Sequence, residues 1–178
     1  TAIPIKKAKR TVVEYLTAEA MKLLLEQPDK RTPKGRRDLT LISVLYDSGA
    51  RVQELIDMRV CDVTLQVPAV LTLTGKGNKT RRIPIMKNTA SLLQNYLLEN
   101  KLDKPWKNQS PLFTNSQYHK LTKEGVTYIL SKYVESARKI STLLPPKVNN
   151  HMLRHSKAMH LLQAGVNLIY IRDFLGHV

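Results

Sequence analysis

Cysteine is almost absent from this 178-residue chain, with Cys61 as its one example. An internal disulfide and a cysteine-based zinc cluster are therefore excluded, and a reducing cytosol is the natural setting. By composition alone Cys61 reads as a core or strand residue. No apolar run approaches the ~20 residues that cross a bilayer, and the first residues lack the apolar segment of a secretory signal. There is no internal repeat and no low-complexity tract. These absences predict a soluble, cytoplasmic protein without a membrane partner. Acid is scarce as well: 14 Asp and Glu stand against 29 Lys and Arg, for a formal charge of +15 and a pI near 10.0. The basic residues run the whole length of the chain. A solvated basic surface accounts for a moderate excess, whereas this one predicts a polyanionic partner held by salt-sensitive, counterion-releasing contacts. At 42% apolar content the chain has enough material for one domain with a hydrophobic core.

Periodicity predicts a mainly helical α+β domain with one small antiparallel sheet. Residues 1–13, rich in Lys and Arg around Pro4, carry no period and read as a basic interdomain linker; residues 14–178 form the domain. Thr17 is placed to cap a helix running to about Gln27, with Leu16 stapled onto Met21. A basic loop over Pro28–Gly35 leads to a helix from about Arg36 to Ser48. Its apolar positions Leu39, Leu41, Ile42, Val44, Leu45 and Tyr46 cover most of its circumference, which predicts central burial. Gly49 stops it, and a short helix follows over Val52–Met58. Val63, Leu65, Val67, Val70, Leu71 and Leu73, then Arg82–Ile85, read as strands around a turn at Gly75-Lys76-Gly77-Asn78, with Pro68 and Pro84 keeping them short or at an edge. Asn88 or Thr89, Thr122, Asn149 or Asn150, and Asn167 are the expected caps of four more helices. The last two stop at Gly165 and Gly176.

His151 and Arg154 stand three residues apart, so both leave one face near a helix N-terminus, where backbone N–H groups also favour an anion. His155, one turn after His151, raises the rival reading of a zinc pair. That pattern needs Glu directly after the first His, and Met152 is there instead, with no carboxylate ligand in the following turns. No metal and no cofactor is expected. Taken singly, each Arg reads as a salt-bridge partner and each His as a hydrogen-bonded ring; their order along the chain changes the reading.

Gly49-Ala50-Arg51-Val52-Gln53-Glu54-Leu55, Gly75-Lys76-Gly77-Asn78-Lys79-Thr80-Arg81, His151-Met152-Leu153-Arg154-His155-Ser156 and Leu175-Gly176-His177 closely resemble, in this order and at these intervals, the tyrosine recombinase or phage integrase family. The resemblance runs from about Leu16 to the end and implies that family's catalytic-domain fold. It implies that Arg51 and Arg154 are the two catalytic arginines, that Glu54 orients Arg51, that Lys76 is the lysine of a mobile hairpin, and that His151 and His177 complete the set. The family's nucleophilic tyrosine lies beyond the position of His177. None of Tyr15, Tyr46, Tyr96, Tyr118, Tyr128, Tyr133 and Tyr170 does, and most sit where helix periodicity puts a ring in a core. The nucleophile is thus expected outside this chain, which by itself would not cleave.

The chemistry explains the residue types. Charge on the non-bridging oxygens of an attacked phosphodiester suits forked guanidinium donors, and an ammonium on a hairpin can protonate the leaving 5′ oxygen. The resemblance further implies site-specific recombination of a phage or mobile element, or chromosome resolution, through a 3′-phosphotyrosine link. It implies a double-stranded DNA partner, an upstream core-binding domain missing here, a tetramer on DNA for the full protein, and a monomeric fragment. Two other readings stand beside it: a type IB topoisomerase, which shares the phosphate chemistry, and a basic DNA-binding module without catalysis.

Overall fold

The structure, a computed structural model, describes residues 14–177; the basic segment read as a linker over residues 1–13, and Val178, lie outside the described residues. Helix α1 (Ala18–Leu25) starts where the Thr17 hydroxyl accepts the Ala20 N–H at 3.1 Å, with Leu16 and Met21 both buried beside it. It ends two residues short of the expected Gln27.

Helix α2 (Pro33–Ser48) is the centre of the molecule: Leu41, Ile42, Val44 and Leu45 are wholly buried. It begins inside the stretch read as a loop. The Thr32 hydroxyl accepts the Gly35 N–H at 3.0 Å and Pro33 occupies the first turn, where a missing N–H costs nothing. Periodicity does not reveal that α2 also buries Asp38, Thr40, Ser43, Asp47 and Ser48. Asp38 accepts from Arg37 and from the Tyr133 hydroxyl, and Ser48 turns back onto the Val44 carbonyl. Asp47 pairs with Lys157 at 2.9 Å and accepts the Met86 N–H at 2.8 Å.

After α3 (Val52–Asp57) a 3₁₀ turn at Val60–Asp62 leads to β1 (Val63–Thr64), β2 (Val70–Thr74) and β3 (Thr80–Pro84), an antiparallel sheet in the order β1-β2-β3. The expectation of a core or strand place for Cys61 is corrected: it sits exposed on that turn. Leu65 and Val67 lie outside the strands as well, and Val67 points into solvent. Leu71 and Ile83 face each other across the ladder and are buried, as is Leu73.

Helix α4 (Lys87–Glu99) starts before both expected caps. Met86 is the cap residue, and its N–H is satisfied by Asp47 rather than by a local side chain, a contact no local pattern encodes. Thr122 caps α5 (Lys123–Arg138), Asn149 caps α6 (Asn150–Gln163) and Asn167 caps α7 (Leu168–Leu175). The expectation that most of the seven tyrosines sit in a core is corrected, and Tyr15 and Tyr46 are only half-buried. Tyr118, Tyr128 and Tyr170 are exposed, whereas Tyr96 and Tyr133 are in the core. The whole is α+β and mainly helical with one small sheet, as the periodicity predicts. Among the described residues no helix is long and apolar enough to cross a membrane.

The Asp47–Lys157 pair joins α2 to α6 inside the core. Breaking one half of a buried pair strands the other charge and costs about 3–5 kcal/mol. Asp47→Asn should therefore destabilise by that amount in urea unfolding, and Asp47→Asn combined with Lys157→Met should recover most of the loss.

Candidate active site

Four helix ends and turns bring the expected residues to one place. Gly49 ends α2 in the left-handed region (φ 59°), and a Cβ there would stand 2.9 Å from a Leu175 methyl, so α2 and α7 end against each other. Arg51 then opens α3, its N–H donated to Glu54 Oε2 at 2.7 Å. Lys76 stands exposed at the tip of the β2–β3 hairpin. His151 is exposed in the first turn of α6, and Arg154, one turn on, is 2% exposed. Gly176 (φ 67°) ends α7 and turns the chain so that His177 comes back over Arg154.

Arg154 is the centre of this arrangement. Its Nη1 donates to the Gly49 carbonyl and its Nη2 to the Leu175 carbonyl, each at 2.6 Å, and Nη2 lies 3.3 Å from His177 Nε2. Arg51, Glu54, Lys76, Arg81 and His177 line one cleft of about 860 Å³, and Arg51 and His151 share the adjoining hollow. Arg51, Lys76, His151, Arg154 and His177 are thus gathered around one region. A separate groove lined by Met21, Leu25, Leu39 and Leu92 holds none of them.

Positive charge is crowded in this region. Burial, then repulsion from Arg51 and Arg81, pushes the Arg154 guanidinium down to about 10. Among the described residues no carboxylate forms an ion pair with it. Burial, then the charges of Arg154, Arg51, His151 and Arg81, holds the His177 imidazole below its ordinary value. His155, which meets the His151 ring edge-on at 4.9 Å between centroids, is lowered by burial and by that neighbour. Glu54 is 3% exposed. Burial alone would raise its carboxyl, but hydrogen bonds from Arg81 and the Arg51 N–H, with both guanidinium charges, bring it below the usual carboxylate range.

One contributor escaped the sequence reading. Arg81 forks onto Glu54 at 2.6 and 2.9 Å and donates Nε to the Phe174 carbonyl at 3.0 Å. Glu54, expected to serve Arg51, meets the Arg51 guanidinium only at 3.4 Å and gives its closest contact to Arg81. The available signal was strand alternation, since Arg81, Ile83 and Ile85 share the inward side of β3 and its continuation. Among the described residues no tyrosine lines either hollow.

The comparisons with known proteins bear on the family. Residues 14–178 match the model of the phage integrase family. The chain belongs to that family, the tyrosine recombinases. It is 38% identical over 177 residues to y4rC of Sinorhizobium fredii, spanning 99% of this chain and 52% of that protein. It is 34% identical over 172 residues to the tyrosine recombinase XerC of Staphylococcus haemolyticus, spanning 97% of this chain and 56% of that one. It superposes on the XerH site-specific recombinase, solved with a palindromic difH substrate in a post-cleavage complex. There the TM-score is 0.81 at 28% identity, over 98% of this chain and 49% of that one. The chain spans about half the length of these relatives.

Acid should loosen this site. A histidine whose native pKa is below its unfolded value of 6.5, as for His155 and His177, holds fewer protons folded than unfolded. Stability therefore falls as pH drops through 6.5 toward the native values, and Glu54 adds a further loss as pH falls below 4.5 and through its own lowered value. Urea midpoints should decline from about pH 8 to about pH 5.5 at constant slope. Sulfate, by occupying the cationic cleft, should reduce the decline.

Proposed function

We propose that residues 14–178 are the catalytic domain of a site-specific DNA recombinase, which breaks and rejoins strands through a 3′-phosphotyrosine link. The observation that carries this reading is Arg154. A buried guanidinium without an acid partner, crowded by Arg51 and Arg81, keeps a desolvation cost that an incoming phosphate would relieve.

In this mechanism Arg51 and Arg154 clamp the two non-bridging oxygens of the scissile phosphate, where charge accumulates as the phosphorus becomes five-coordinate. His177, already beside Arg154 Nη2, donates to the same oxygens. His151 takes the proton of the attacking phenol or donates to the phosphate. Lys76, on the exposed hairpin tip, protonates the departing 5′ oxygen. Glu54 holds Arg51 by its backbone. Among the described residues no tyrosine lines the cleft, and the attacking phenol is assigned to none of them. The covalent link conserves the energy of the broken bond, so resealing needs no nucleotide. The duplex is the polyanion that a charge of +15 anticipates. Residues 1–13 would lie between this domain and an upstream one that completes the grip, in a tetramer assembled on DNA in the cytoplasm.

The test is a nicked suicide duplex offered to the full-length protein. A covalent protein–DNA adduct is expected, and Arg154→Ala should lower its rate on the order of 10²–10³ while duplex affinity falls only mildly. Equal loss of adduct and affinity would mean a binding module. Relaxation of supercoils without strand exchange would mean a topoisomerase.

A further inference from the structure

We propose that Arg81 is a positioning residue of this cleft, tying the Lys76 hairpin, the Arg51 helix and the His177 turn into one rigid unit. Its purpose rests on the recombinase reading; its physical basis does not.

Strand β3 presents Arg81 on the same side as Ile83, and Arg81 pairs across the ladder with the wholly buried Leu73. An apolar side chain is the ordinary occupant of such a position. The guanidinium there uses each of its nitrogens: Nη1 and Nη2 on the two Glu54 oxygens, and Nε on the Phe174 carbonyl. Burying an ion pair of this kind contributes little net stability compared with apolar packing. It does impose geometry, because a planar fork fits a carboxylate in one orientation only. Through Glu54 the fork reaches the N–H of Arg51. Through Phe174 it reaches the end of α7, next to the Leu175 carbonyl that Arg154 holds. Two adjacent carbonyls below His177 are thus fastened by two different guanidiniums.

The space around the pair is shaped to it. A Cβ on Gly176 would stand 3.0 Å from Arg81 Nη1 and 3.2 Å from its Cδ and Cζ, although the left-handed backbone of Gly176 already favours glycine. Gly75 is the more telling case. Its φ of −105° suits any residue, yet a Cβ there would stand 3.0 Å from Glu54 Oε1. The Gly75 N–H closes the hairpin on the Lys79 carbonyl at 2.8 Å, directly before Lys76. The base of the hairpin therefore rests on the ion pair, and the placement of Lys76 depends on it.

The experiment uses the 178-residue chain without DNA. Amide hydrogen exchange at positions 75 and 177 and the NMR titration of the His177 imidazole are measured in Arg81→Gln, Arg81→Lys, Glu54→Gln and the Arg81→Gln/Glu54→Gln double variant, with urea melts to establish folding. Arg81→Gln should lower protection at both amides by about tenfold or more and move the His177 pKa up toward 6.5, since Arg81 is one of the charges that lower it. Arg81→Lys keeps the charge but loses the fork, and should still lose protection at both amides. The double variant should lose no more than the larger single loss, because both changes undo one link. Wild-type protection in folded Arg81→Gln, wild-type behaviour of Arg81→Lys, or additive losses would each overturn the proposal. Should Arg81→Gln not fold, Gly75→Ala crowds Glu54 Oε1 without removing a charge. It must then lower protection at both positions, and unchanged protection would overturn the proposal equally. A missing DNA adduct alongside intact coupling would count against the recombinase reading alone.

Discussion

A guanidinium buried without an acid has to be held by something, and Arg154 is held by the ends of two helices. The carbonyls at a helix C-terminus have no partner within the helix and carry the negative end of its dipole. Arg154 satisfies one such carbonyl at the end of α2, from Gly49, and another at the end of α7, from Leu175. Both helices stop at glycines in the left-handed region, which lets the chain turn away sharply and leave those carbonyls accessible. The arrangement stabilises the cation enough for it to stay buried. It does not neutralise the cation, and on the proposed reading the surplus positive charge is what would take up a phosphate.

The rest of the fold holds those two termini in register. Helix α2 packs along α6, and the Asp47–Lys157 pair joins them in the core. The Lys157 ammonium lies 5.4 Å from the centroid of the Tyr46 ring and 5.9 Å from that of Phe174, so one side chain contacts α2 and α7 at once. The Tyr46 hydroxyl meets His160 Nδ1 at 2.6 Å, and His160 Nε2 donates to the Leu16 carbonyl, which anchors the entry to the domain on α2 and α6. Preorganisation follows for Arg154, whose guanidinium is held on two carbonyls, so little reorganisation of that donor would remain for a reaction. The exposed hairpin tip reaches into this frame and is fastened at its base through Arg81 and Glu54.

Local chemistry made much of the fold legible. Thr17, Thr122, Asn149 and Asn167 accept the N–H groups that their helices leave open, and the glycine at 49 does what a helix stop requires. Failures of the reading share a cause. Helix α4 takes its cap contact from Asp47, thirty-nine positions earlier. Cys61 is exposed because a short 3₁₀ turn carries it outside the sheet. Thr32 and Pro33, a cap followed by a favourable first residue, were a local signal hidden in a stretch whose charge suggested a loop.

For the site the division is sharper. The kinds of residue, their order and their spacing are properties of the polymer, and they were sufficient to assign the family and to single out Arg51, Glu54, Lys76, His151, Arg154 and His177, which the fold gathers around one region. The distribution of the contacts among them belongs to the folded state. Whether Glu54 serves Arg51 or Arg81, and whether Arg154 ends on an acid or on two carbonyls, depends on which parts of the chain come within 3 Å, and hydrogen bonds fall off too steeply with distance and angle for spacing to decide between them. The sequence determined which charges would be present. Only the meeting of the ends of α2 and α7, with the hairpin alongside, decided which of those charges are satisfied by an acid and which one is not.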